Sequence, residues 1–136
     1  MIGPGNKFPL KHAREFIMRA LHRMMQEGGN VIVIIDNEKN YYVQFSSEIK
    51  DDGLYGEAVS NNWLSGENKL DETQIAKLEA MGWMPPDHDS GNFWRTWENV
   101  RDIRDLSPVA DDVIRTFTDV YGANPYQETI IEVIEG

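Results

Sequence analysis

The chain contains no cysteine, which excludes disulfide bonds, thiolate metal sites, iron–sulfur clusters and a cysteine nucleophile. Long apolar runs are also missing, and the longest of them, Val31–Ile35, is far too short to span a bilayer. The amino terminus shows no apolar stretch that ends in small residues, so we expect no secretory signal and a cytoplasmic protein. Glycine-rich phosphate loops and the common hydrolase motifs are absent as well.

Positive charge is scarce along the chain. Lys and Arg number 13 against 23 Asp and Glu in 136 residues, which gives a net charge of −10. Proteins that bind nucleic acids or anionic membranes depend on an excess of Lys and Arg, so we expect neither as a partner. The length and the 40% hydrophobic content are typical of one soluble globular domain over residues 1–136.

The few positive charges are concentrated near the amino terminus. Residues 1–26 contain five Lys and Arg and only one acidic residue, Glu15. A basic helix that packs on an acidic body would explain this, and so would a charged surface that receives a partner. The first interpretation needs no partner, because charged outer faces are ordinary on helices.

Hydrophobic spacing in the first half predicts one helix followed by three strands. Apolar residues recur every three or four positions from about Pro9 to Glu27, and Gly28 ends this helix. Met1–Asn6 has the Gly and Pro of a loose entry segment. Three strands are then expected, the first continuously apolar and the second alternating: Val31–Ile35, Tyr41–Phe45 and Leu54–Ser60.

A second helix and a fourth strand are predicted in the next part of the chain. Asp71 is the expected N-cap of this helix, and Gln74 three residues later completes a capping box. Gly82 is placed to end the helix. Asn92–Trp97 then has the composition of a strand.

A third helix is expected to begin with Ser107 as its N-cap, followed by Pro108, and to end at Gly122. Residues 126–134 fit either a helix or a strand. The predicted order is α-β-β-β-α-β-α with an undecided tail. Because the strands follow one another directly, we expect an antiparallel sheet flanked by helices in an α+β fold.

Candidate catalytic or metal-ligating residues are few. The sequence Asp87-His88-Asp89 could bind a divalent cation, or His88 could act as a base, but three adjacent turn residues diverge. A solvated turn is the better interpretation, because Asp, Ser and Gly after two prolines are ordinary turn residues. The acidic pairs Asp51-Asp52 and Asp111-Asp112 are likewise interpreted as a turn and a helix start. We therefore predict no enzyme, no metal and no cofactor.

Aromatic residues give a stronger signal. In the predicted strands, Tyr42 alternates with Val43, and Trp94 alternates with Phe93. If the sets containing Val43 and Phe93 face the helices, Tyr42 and Trp94 face outward. Large aromatic side chains on an outer sheet face are typical of a binding surface or a subunit interface.

The chain resembles the TY-Chap group, bacterial domains related to YbjN and to type III secretion chaperones of the CesT kind. The resemblance depends on Leu70, Gln74, Leu78 and Gly82-Trp83-x-Pro85, then on Asn92-Phe93, Ala110-x-x-Val113 and Val120-Tyr121-Gly122, and covers roughly residues 54–125. It implies an α+β peptide-binding chaperone that is commonly dimeric.

We therefore expect a non-enzymatic protein, a homodimer, that holds an extended apolar segment of a partner protein against its sheet. The residues expected to contact the partner are Tyr41, Tyr42, Phe45, Trp94 and Trp97. A second copy or the acidic tail could cover the same face instead. A regulatory or structural subunit of a protein assembly remains the alternative, and a metal-dependent enzyme a more distant one.

Overall fold

A computed structural model describes residues 6–47, 53–87 and 91–135 of the chain. These described residues contain three α-helices, and a short 3-10 turn precedes each of them along the chain. The α-helices are α1 (Ala13–Glu27), α2 (Glu72–Ala80) and α3 (Ser107–Arg115), and α3 continues into a π-helical segment over Thr116–Val120. Within these residues no helix is long and apolar enough to cross a membrane.

The strands form one antiparallel sheet. They are β1 (Asn6–Pro9), β2 (Asn30–Asp36), β3 (Tyr41–Ser46), β4 (Leu54–Ala58), β5 (Phe93–Trp97) and β6 (Glu128–Ile134). The spatial order is β1-β6-β2-β3-β4-β5, and every neighbouring pair is antiparallel. The predicted α+β class is therefore confirmed.

Two strands extend the predicted element order. β1 is not predicted, because Pro9 and a length of four residues give a weak strand pattern. β6 resolves the undecided tail: Thr129 and Ile131 alternate with outward residues, and the strand lies between β1 and β2. Ile131 is directly opposite Val33 on one side. Pairing with β1 and β2, both from the amino-terminal part of the chain, stabilises β6 as a strand, which a local pattern cannot reveal.

The helix ends agree with one predicted N-cap and differ from another. Asp71 and Gln74 form the predicted capping box, each side chain accepting from the backbone N–H of the other at 2.8 Å. The prediction that Ser107 is an N-cap is wrong. The 3-10 turn Ile103–Leu106 runs directly into α3, and its own capping box places the true start at Asp102.

The core fills the space between the helices and one face of the sheet. Alternate residues of the central strands, such as Val33 and Val43, are buried in one core with Ile17 of α1 and Val113 of α3. In the described part of the chain all three helices contribute to this single core. We call this side of the sheet the covered face and the other side the open face.

Ion pairs connect the basic first helix with the rest of the molecule. Arg14 lies 2.7 Å from Asp111 of α3, and Arg23 lies 3.6 Å from Glu135 after β6. Arg19 pairs with Glu15 on the same helix. The positive charge of α1 is thus paired within the monomer, as the simpler interpretation of the sequence predicted.

Candidate functional site

The Gly82-Trp83 element lies on the covered face. Trp83 is almost fully buried, and its indole Nε1–H donates to Thr116 Oγ1 at 3.1 Å. Its ring meets that of Trp97 edge to face, with centroids 5.7 Å apart. Gly82 has φ of +103°, and a β-carbon there would lie 3.3 Å from the Arg95 guanidinium. The tight turn after α2 therefore requires glycine, and it places Trp83 between β5 and the π-helical segment.

Arg95 is the polar centre of this cluster, and the sequence analysis did not single it out. Its guanidinium lies 4.4 Å from the centre of the Trp97 ring, donates to Met81 O at 2.7 Å and pairs with Asp112 at 3.5 Å. Asp112 Oδ2 also accepts from Trp97 Nε1 at 2.9 Å. Burial lowers the pKa of Arg95, and Asp112 opposes that shift. This pairing of β5 with α3 stabilises the fold.

Three of the five expected contact residues lie in the core. Tyr41, Phe45 and Trp97 are 8%, 2% and 7% exposed. Tyr41 stacks on Tyr121 and its hydroxyl donates to Asn68 O at 2.8 Å. These side chains occupy the covered face because they share its two-residue period with Val43 and Phe93, whereas Tyr42 and Trp94 lie on the other face.

The open face is formed by the strand residues that alternate with the core set. Most of them are partly exposed. They are Lys7, Asn30, Ile32, Ile34, Asp36, Tyr42, Gln44, Ser46, Tyr55, Glu57, Trp94, Thr96, Glu128, Ile130, Glu132 and Ile134. Apart from Tyr42, the described apolar residues of this face are not among those that pack against the core.

Residues directly opposite one another form rows across the strands of the open face. The central row contains Glu132, Ile32, Gln44, Glu57, Trp94 and Met84. The row beside it contains Lys7, Ile130, Ile34 and Tyr42. Apolar and acidic side chains are therefore interleaved on one continuous surface.

Trp94 and Tyr55 form the aromatic end of the open face. Their rings stack with centroids 6.4 Å apart, and Trp94 Nε1 donates to Asp87 Oδ1 at 2.7 Å. The Tyr55 hydroxyl donates to Glu57 Oε2 at 2.8 Å, and burial followed by this contact raises the pKa of Tyr55. Tyr55 was not predicted as a contact residue, although its alternation with Leu54 places it on this face.

Tyr42 lies farther along the open face and is more enclosed than predicted. It is half-buried and packs partly against the core. Its hydroxyl oxygen accepts from Asn92 Nδ2 at 3.3 Å. The structure thus places Tyr42 and Trp94 on the same face of the sheet, on strands separated by β4.

Both edges of the sheet are partly closed. At the β5 edge, the backbone N–H groups of Met84 and Trp94 each donate to the other's carbonyl, at 2.7 and 3.2 Å. At the opposite edge, β1 is short and contains Pro9, which has no N–H to donate.

Where the structure describes them, the acidic motifs form hydrogen bonds and ion pairs and no cluster of metal ligands. Asp87 accepts from Trp94, while His88 and Asp89 lie outside the described residues, as do Asp51 and Asp52. Asp111 and Asp112 lie in α3 and form the ion pairs given above. In the part of the chain that the structure describes, no three His, Asp or Glu residues converge as metal ligands do.

A family model described as "T3SS (YopN, CesT) and YbjN peptide-binding chaperone 3", TY-Chap3, matches residues 16–126. The chain belongs to the TY-Chap3 family. This confirms the resemblance and extends it over most of α1 and the first two predicted strands. A search of curated proteins and a search of solved structures each gave no match.

The residues that carried the resemblance to the TY-Chap group and the residues of the open face lie in different parts of the structure. Motif residues that carried the resemblance, such as Gly82, Trp83 and Leu78, are part of the turn and the core that hold α2 on the sheet. The open-face residues Ile32, Ile34 and Ile130 were missed as candidates, because a continuously apolar strand does not indicate which face is exposed.

Proposed function

We propose that this TY-Chap3 chain is a non-enzymatic chaperone that holds an extended segment of a partner protein against the open face of its sheet. The observation that carries the proposal is the unobstructed apolar and aromatic surface formed by Ile32, Ile34, Ile130, Tyr55 and Trp94. Such side chains give large contact area and frequently dominate binding energy. The occupant is a cytoplasmic protein segment with complementary charge, since the face itself is acidic.

The arrangement of the strands supports binding on the face. Because Met84 pairs with the β5 edge and β1 is only four residues long and ends at Pro9, the addition of a long strand at either edge is disfavoured. The carboxyl-terminal segment, which could have covered Trp94, forms β6 through Ile134 instead. Trp94 thus remains partly exposed in the described structure.

A double variant tests the proposal. Trp94→Ala with Tyr42→Ala removes the two aromatic side chains expected to contact the partner. Pull-down from the native cell followed by mass spectrometry should recover a partner with the parent chain and lose it with the variant. The matched control is Trp63→Ala, which removes an indole that is 55% exposed and belongs to none of the strands. A variant that retains its fold and still captures the same partner would refute the proposal.

The homodimer expected from the resemblance is part of the proposal. Two open faces would bring like charges together, so we place the dimer contact on another surface. Sedimentation at micromolar concentration should then give a species of twice 15.6 kDa for the parent. A species of 15.6 kDa alone would exclude the dimer and leave peptide binding unaffected.

A further inference from the structure

A cleft lies between α2, the segment that follows β4 and the Pro85-Pro86 segment. Its volume is about 230 Å³. It is lined by both apolar and polar side chains, and these are Ser60, Asn61, Asn62, Ile75, Glu79, Pro85, Pro86 and Phe93. Sites for whole small molecules usually enclose at least about 300 Å³, so this cleft suits a single side chain of a partner better than a cofactor.

Two asparagines hold the wall of the cleft that follows β4. Asn61 Nδ2 donates to Leu70 O at 2.9 Å, and Asn61 Oδ1 accepts from Leu70 N at 2.6 Å. Asn62 Nδ2 donates to Gly91 O at 2.9 Å. This bond fixes the orientation of the Asn62 amide, and no group in the described part of the chain donates to its Oδ1. The wall is therefore held in place and keeps one carbonyl oxygen available to a ligand.

The apolar wall of the cleft is also fixed. Met84 pairs with Trp94 through backbone bonds of 2.7 and 3.2 Å, and Asp87 N donates to Pro85 O at 2.8 Å. The two proline rings restrict the backbone further. Phe93 is only 4% exposed and lies at the inner end of the cleft. A side chain that enters the cleft thus meets a preformed surface, which lowers the entropic cost of binding.

The α2 wall carries the charge of the cleft. Ile75 and Glu79 are one turn apart on the same face of the helix, and Glu72 continues this face. Glu79 is exposed, and within the described residues no hydrogen bond or ion pair engages its carboxylate. Lys77 lies on another face of α2, where its Nζ reaches Asp119 O at 3.4 Å. The described lining contains no basic residue, so the cleft has an apolar interior and a negative mouth.

We propose that the cleft takes one arginine side chain of the segment that the open face holds. The aliphatic stem packs on Ile75 and Phe93, and the guanidinium pairs with Glu79 and donates to Asn62 Oδ1. Arginine fits better than lysine because its planar group has five N–H donors for acceptors on two walls. This inference rests on the proposed function and adds a second, separate contact to it.

Position and charge both favour a basic side chain of the bound segment as the occupant. Pro85 directly follows Met84, whose backbone pairs with Trp94 at the end of the open face. A segment that leaves the open face beside Trp94 therefore passes the cleft. The net charge of −10 attracts basic segments. A leucine side chain would fill the apolar part but would remove water from Glu79 without supplying a counter-charge.

Synthetic peptides of about nine residues test the inference with the full chain. They share a Thr- and Val-rich sequence and differ at one terminal position, which holds arginine, citrulline or leucine. Citrulline has nearly the shape of arginine and lacks its charge. Two sets place this residue at the amino or the carboxyl end, because either chain direction brings one end to the cleft. In one of the two sets, fluorescence anisotropy should show the arginine peptide binding about fivefold more tightly than the other two.

Variants assign the preference for arginine to the cleft. Glu79→Gln should remove most of this preference and leave binding of the citrulline and leucine peptides unchanged. The matched control Glu98→Gln makes the same charge change at an exposed position beyond the other end of β5 and should alter none of them. Circular dichroism checks that each variant is folded. Full retention of the arginine preference in Glu79→Gln would overturn the assignment.

Ile32→Ala separates this inference from the proposed function, because Ile32 lies on the open face and does not line the cleft. It should weaken all the peptides alike and leave the arginine preference intact. Weaker binding in Ile32→Ala with no preference for arginine in the parent would refute the cleft and support the open face. A preference that is lost in Glu79→Gln, with no effect of Ile32→Ala, would support the cleft and contradict the open face. Failure of every peptide to bind would contradict both proposals.

Discussion

The two faces of the sheet use similar residues for different purposes. On β5, Trp97 and Arg95 point into the covered face and connect it to α3, whereas Trp94 points into the open face and stacks on Tyr55. A shift of one position along the strand therefore separates a residue that stabilises the fold from one available for binding. Substitutions on the covered face should therefore reduce stability strongly, and substitutions on the open face should reduce it only slightly.

The largest effect is expected at Trp83. Trp83→Ala removes a buried indole that contacts Trp97 and donates to Thr116, which should reduce the free energy of unfolding by about 3–5 kcal/mol. Urea denaturation measures this loss. The control Trp63→Ala alters an indole that is 55% exposed and should change stability by less than about 1 kcal/mol. A Trp83→Ala protein as stable as the parent would contradict the packing described for α2.

The next largest difference in stability is expected between substitutions of the adjacent residues Asp112 and Asp111. Asp112→Ala removes the acceptor of Trp97 Nε1 and the ion-pair partner of the largely buried Arg95, so a loss of about 1.5–3 kcal/mol is expected. Asp111→Ala breaks only the exposed pair with Arg14 and should leave the melting temperature almost unchanged. Equal melting temperatures for the two variants would show that the Arg95 pairing contributes nothing.

A substitution at Gly56 should cause a smaller loss of stability. A β-carbon at Gly56 would lie 2.8 Å from the Phe45 ring and 2.9 Å from the Trp97 ring, so the strand has room only for glycine on the covered face. Gly56→Ala should cost about 1–3 kcal/mol through overpacking. Thr96→Ala, on the exposed side of the neighbouring strand, is the control and should be close to neutral. The measurement is again the midpoint of urea denaturation.

Much of the fold was predictable because local patterns determine it. The helical spacing of α1, the capping box of Asp71 and Gln74, and the two-residue alternation that separates Trp94 from Phe93 are all properties of short segments. Each was predicted from the residues. The α+β class followed from the order of these segments.

The remainder depends on contacts between distant segments. β6 is a strand because β1 and β2 lie on either side of it, and neither contact is visible in residues 126–134 alone. Arg95 becomes part of the core only when α3 brings Asp112 to 3.5 Å. The open face likewise depends on which side the helices cover. Tyr41, Phe45 and Trp97 were grouped with Trp94 because they belong to the same two strands, although the two-residue period places them on the opposite face.

The smallest effect on stability is expected at Trp94 itself. Trp94→Ala removes a partly exposed ring together with its stacking on Tyr55 and its bond to Asp87, so the free energy of unfolding should fall by only about 1 kcal/mol. Backbone pairing with Met84 does not depend on the side chain and should remain. Because we place the dimer contact away from the open face, the sedimentation coefficient should not change. A loss of stability comparable to that of Trp83→Ala would show that the Trp94 side chain is buried in the native protein. Dissociation into monomers would show that the open face is part of the dimer contact. Either result would contradict the distinction between a covered face that stabilises the fold and an open face available for binding.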